Sequence, residues 1–122
     1  MSIQRGGCHC GAIRFEAEGV PTRVTVCNCS ICAKTAYLHW EVAPEYFHLL
    51  TPDDAIETYE FGTKTAKHHF CRVCGMSPFR RSRTNPACVD VNVRCLEDVD
   101  TETLEVELFD GQNWEQTVAQ RG

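Results

Sequence analysis

Seven of the nine cysteines in this 122-residue chain stand in three tight groups: Cys8-His9-Cys10, Cys27-Asn28-Cys29-Ser30-Ile31-Cys32 and Cys71-Arg72-Val73-Cys74. At this spacing a single turn of backbone presents two sulfurs at about 2.3 Å from a shared Zn²⁺. Gly11 and Gly75 stand just behind the first and third groups, where the chain must bend sharply. A secreted chain with this cysteine density would suggest a disulfide scaffold. Residues 1–7 carry no apolar signal core, however, and no stretch approaches the roughly 18 to 20 apolar residues that cross a bilayer. The expectation is therefore a cytoplasmic metal-binding protein without membrane association.

Seven thiolates can be divided between two metals in two ways. Cys8 and Cys10 can join Cys71 and Cys74 in a closed four-thiolate site, leaving Cys27, Cys29 and Cys32 as a three-ligand site. Alternatively, Cys29 and Cys32 pair with Cys71 and Cys74 like a zinc ribbon, and Cys8, Cys10 and Cys27 are left over. The first division is favoured, because three cysteines within six residues converge on one point at little conformational cost. A three-ligand zinc keeps a fourth position for a guest, unless His9, His39, His68, His69, Cys88 or Cys95 fills it. Cys88 and Cys95 sit on or beside an alternating segment and read as small core residues or incidental thiols.

Three thiolates give the ion a net negative first shell, which disfavours activation of water. A soft thiol is the natural fourth ligand, and binding displaces its proton near neutral pH. Such a sulfur, fixed in place, can attack a small aldehyde. Iron and iron–sulfur clusters also use thiolates, but nothing in the pattern adds weight to them. A thioredoxin-like reading lacks its βαβ context around both Cys-x-x-Cys pairs.

Length suits one domain, 1–122. Short alternating runs at residues 13–17, 23–26, 37–42, 46–50, 56–61, 66–70, 78–80, 88–93 and 103–109 predict a mainly β, antiparallel domain with at most short helices. Ile13, Phe15 and Ala17 form one apolar face, and Leu104, Val106 and Leu108 another. Residues 113–120 predict a terminal helix capped by Asn113. The net charge of −5 hides a segment, 61–89, with six basic and no acidic residues, among them Arg80, Arg81 and Arg83. That segment offers a local positive field for an anionic small molecule, while the overall acidity weighs against nucleic acid.

The three cysteine motifs, with Trp40, residues 91–96 and Phe109-Asp110-Gly111-Gln112-Asn113-Trp114-Glu115, resemble the glutathione-dependent formaldehyde-activating enzyme family, also called the centromere protein V/GFA domain family. The resemblance implies a β-tent fold with a structural zinc at Cys8, Cys10, Cys71 and Cys74 and a catalytic zinc at Cys27, Cys29 and Cys32. It also implies a carbon-sulfur lyase activity that adds glutathione to formaldehyde to form S-(hydroxymethyl)glutathione. Arg80, Arg81 and Arg83 are then the cations expected to meet the carboxylates of such a thiol. The rival reading is a non-catalytic, zinc-stabilised module that binds a protein or a nucleic acid.

Overall fold

The alternation of Ile13, Phe15 and Ala17 with charged neighbours produces a strand with one face sealed: all three are 0% exposed in the computed structural model, which describes residues 2–121. The strand itself, β2 (Arg14–Glu18), begins just after Ile13 and pairs antiparallel with β1 (Ile3–Gly7) on one side and with β5 (Phe47–Leu49) on the other. The β1 segment carries no periodic signal, being polar and ending in two glycines. It forms because those glycines allow contact that a side chain would block. A Cβ on Gly7 would meet the Ile13 carbonyl oxygen at 2.2 Å, and one on Gly6 the Cys95 carbonyl oxygen at 2.5 Å.

A second sheet has the order β10-β3-β4-β9-β8, built from β3 (Arg23–Cys27), β4 (His39–Val42), β8 (Phe79–Arg80), β9 (Val89–Asn92) and β10 (Glu105–Phe109). Its pairs are antiparallel except β10 with β3, which is parallel and sets Phe109 beside Cys27. Register divides the sheet into two unlike faces. Val24, Val42, Val89, Val91 and Phe79 point into the single hydrophobic cluster that also holds Ile13 and Phe15. Thr25, His39, Glu41, Asp90 and Arg80 lie on the opposite, polar face. Asp90 and Arg80 are nonetheless only 2% exposed, so the polar face is also covered.

The predicted apolar face of 103–109 is corrected by the structure. Val106 is 52% and Leu108 80% exposed, whereas Phe109 is buried. β10 is the last strand of its sheet, and of the predicted face only Leu104, just ahead of it, packs partly against the hydrophobic cluster. A third, two-stranded unit pairs β6 (Ile56–Tyr59) with β7 (His68–Cys71). Helices are short: α1 (Cys32–Thr35) and α2 (Trp114–Arg121), the latter in place of the predicted 113–120. Asn113 precedes α2, its side-chain amide donating to Asp110 Oδ2 at 2.9 Å. No helix among the described residues is long and apolar enough to cross a membrane.

Candidate metal centres

The turn after β1 places Cys8 and Cys10 at one end of the first sheet, and β7 delivers Cys71 and the turn carrying Cys74 to the same point. The four sulfurs lie within 4.8 Å of one another. Gly11 (φ 87°) and Gly75 (φ 80°) take the left-handed backbone that closes the two turns. Cys10 Sγ stands 3.6 Å from Cys8 Sγ and 3.6 Å from Cys71 Sγ. A tetrahedron of zinc–sulfur bonds of about 2.3 Å has edges of about 3.8 Å, so the donor set fits the ion. Backbone N–H groups already point at the sulfurs: Ile13 donates to Cys8 Sγ at 3.3 Å and Val73 to Cys71 Sγ at 3.4 Å. The Cys74 backbone N–H is the largest influence drawing the Cys71 thiol below its ordinary pKa.

The second group is Cys27, Cys29 and Cys32, again within 4.8 Å, and no fourth protein donor joins it among the described residues. Cys27 ends β3, Cys29 lies in the connecting turn, and Cys32 opens α1. Cys29 N–H donates to Cys27 Sγ at 3.5 Å and Cys32 N–H to Cys29 Sγ at 3.4 Å. Hydrogen bonds from Cys27 and then Cys32 pull the Cys29 thiol far below its ordinary range, while the same contacts with Cys27 and Cys29, followed by burial, push Cys32 far above it. Three sulfurs this close hold their charges together only beside a cation, which is what the donor set is suited to receive.

All three sulfur-bearing residues line a cavity of about 590 Å³ that lies over the polar face of the five-stranded sheet. Its walls include His39, Phe61, His68, Arg80, Arg83 and Trp114. Arg80 is the cation nearest the triplet: Nη1 donates to Cys32 Sγ at 3.6 Å and meets His68 Nδ1 at 3.3 Å, and the guanidinium lies 3.7 Å over the Tyr37 ring.

Residues 3–112 match the family described as glutathione-dependent formaldehyde-activating enzyme. The chain belongs to that family. A crystal structure of a Rhodobacter sphaeroides protein, 31% identical, superposes with a TM-score of 0.76 over 84% of this chain and 99% of that one.

The matched span extends to the segment after β10, where the fold supplies what cysteine spacing does not reveal. Asn28, inside the triplet, donates through Nδ2 to Asp110 Oδ1 at 3.0 Å. It accepts from the Gln112 N–H at 3.0 Å and, on its carbonyl, from Gln112 Nε2 at 3.2 Å. Between these clamps Gly111 presses on the sulfurs, since a Cβ there would meet Cys27 Sγ at 2.5 Å and Cys29 Cβ at 2.8 Å. In the sequence this segment stood out only through the family resemblance, with nothing in it to show that it reaches the sulfurs. Gly111→Ala is expected to weaken metal retention at the triplet by about tenfold or more, roughly 1.4 kcal/mol, and to leave the four-sulfur group unaffected. Chelator competition resolved by site checks this.

The three arginines have different fates. Arg80 is buried against Cys32, and Arg83 lines the cavity wall, stacked 3.6 Å over Trp114. Arg81 is turned onto the carbonyls of Ala87 at 3.0 Å and Pro86 at 3.4 Å and does not line the cavity. Cys88 and Cys95 stand outside both sulfur groups. Cys88 Sγ accepts from Asn85 Nδ2 at 3.2 Å, and burial pushes the Cys95 thiol up to about 11.

His68 carries a pH consequence. Burial, then the charge of Arg80, lowers its pKa from 6.5 to about 4. The folded state therefore holds the proton less well than the unfolded chain, so this contribution to stability is complete above pH 6.5 and lost as pH falls toward about 4. Between about pH 7 and pH 5, denaturant titration is expected to show wild type losing more stability than His68→Gln. Equal losses would remove the buried neutral histidine from the account.

Proposed function

We propose that Cys8, Cys10, Cys71 and Cys74 hold a structural zinc and that Cys27, Cys29 and Cys32 hold a catalytic one. On this reading the chain joins a thiol such as glutathione to formaldehyde or a related small aldehyde, as a carbon-sulfur lyase of the S-(hydroxymethyl)glutathione synthase type. The observation that carries it is the three-sulfur group set in the lining of a 590 Å³ cavity. Cavities of about 300–1,000 Å³ suit ligands of drug-like size, which favours a peptide-sized thiol entering with its aldehyde over an aldehyde alone. Zinc bound at the triplet supplies a site at which a guest thiol loses its proton near neutral pH.

The chain's own residues do the remaining work. Arg80 offsets the negative charge that accumulates beside Cys32. Phe61 and Trp114 supply apolar wall against which a peptide backbone can lie, and Arg83, held on Trp114, sets a positive charge at that wall for a carboxylate. Free thiolates of this kind belong in a reducing compartment, where glutathione is also found.

Cobalt-substituted protein titrated with glutathione tests the reading. A fourth sulfur entering the coordination shell is expected to intensify the thiolate-to-cobalt charge-transfer band and to saturate at one thiol per chain. A spectrum indifferent to glutathione sinks the proposal.

A further inference from the structure

Three buried side-chain atoms lack a hydrogen-bond partner among the described residues, and all three belong to residues lining the cavity: His39 Nε2, Arg80 Nε and Asp90 Oδ1. A buried polar atom left unpaired costs about 1–3 kcal/mol, and such atoms are ordinarily scattered and few. Their gathering in the lining of the cavity that also holds the sulfur triplet points to use. His39 is held on two sides. Its Nδ1 lies 2.5 Å from Asp90 Oδ2, its ring packs on Tyr37 at 4.5 Å between centroids, and Tyr37 Oη in turn donates to the Asp90 carbonyl at 2.5 Å. A carboxylate at Nδ1 holds an N–H on that nitrogen, so that Nε2 is the nitrogen that can take up or give back a proton.

We propose that His39, positioned by Asp90, carries the proton between the entering thiol and the oxygen of the aldehyde. This rests on the reaction proposed above. The thiol S–H proton passes to His39 Nε2 as the guest moves aside what covers that atom. The sulfur electron pair then forms the S–C bond, the C=O π pair moves to oxygen, and His39 returns its proton there to give the S-hydroxymethyl product. Nothing is oxidised or reduced, and one thiol and one aldehyde account for every atom of the product. The charged and titratable groups around the ring are Asp90 from β9, Arg80 from β8, His68 from β7, Tyr37 ahead of β4 and Glu41 on β4 itself.

The proton inventory of glutathione binding to the zinc-loaded protein separates this from its alternatives. Calorimetry at pH 7 in buffers of different ionisation enthalpy is expected to show little net release in wild type, where His39 keeps the thiol proton. His39→Gln is expected to release about one proton per thiol bound and to lose about 100-fold or more in kcat/KM. His48→Gln, an exposed histidine paired with Glu18, behaves as wild type in both. Ring ¹⁵N spectra of wild type keep the test independent of the variant's folding: Nε2 of His39 is expected to gain a proton when glutathione is added. If glutathione enters the cobalt shell yet His39 stays neutral and the proton reaches the buffer, the histidine assignment is overturned and the zinc–thiol reading stands. If glutathione does not enter the shell, both fall.

Discussion

Cys71→Ser protein is expected to lose its fold together with one metal. Cys71 is 0% exposed and ends β7, and its sulfur sits with Cys8, Cys10 and Cys74 where the first sheet meets the β6–β7 pair. Cys8 and Cys71 are part of the hydrophobic cluster there, while Cys10 is exposed and Cys74 half-buried, so the group ties the core to the surface at that corner. Structural zinc contributes about 10–16 kcal/mol in small zinc peptides, against a whole-domain stability of about 5–15 kcal/mol. Losing one ligand therefore removes an amount comparable to everything else. Circular dichroism and zinc analysis of the purified variant check this. A cooperative melt within a few degrees of wild type, with one zinc missing, would falsify the structural assignment.

Cys29→Ser is expected to do the opposite: one zinc lost, the fold kept, and thiol–aldehyde addition reduced to the uncatalysed rate. Cys29 lies in a turn at the cavity, half-buried, and its neighbours are held without it. Cys27 is fixed by pairing with Phe109, and Asn28 by Asp110 and Gln112. The stability cost is therefore that of an ordinary substitution, about 1–3 kcal/mol, while the donor set falls below what holds the ion. Zinc stoichiometry, thermal melting and single-turnover rate measured on one preparation separate the outcomes. Unfolding of this variant together with metal loss would give the triplet a structural role and leave the cavity without its chemistry.

These two variants probe features that differ in how far the chain itself announces them. The sulfur groupings were legible because two or three residues of spacing leave a turn few other geometries, and the four-and-three division follows from local convergence. Strands β2, β3 and β9 were legible because their apolar residues alternate. β1 was not, since its formation depends on Gly6 and Gly7 fitting against Cys95 and Ile13, a contact between distant segments that periodicity does not encode. The outward turn of Val106 and Leu108 was hidden for a similar reason: alternation reports two faces but not where the core ends.

The polar cavity face shows the same limit. His39 reads as one histidine among five, and Asp90 and Arg80 as charges on separate short strands. Only the register of β4, β9 and β8 places them together on the polar face that lines the cavity. Likewise the parallel pairing of β10 with β3 carries Gly111 and Asp110 from the far end of the chain to Cys27 and Asn28. The amino-acid order by itself determined which sulfurs can share an ion, because ligands a few residues apart meet through local backbone geometry alone. Tertiary structure decided what surrounds those sulfurs, because contacts between residues 51 or 82 positions apart arise only when strand pairing brings them together.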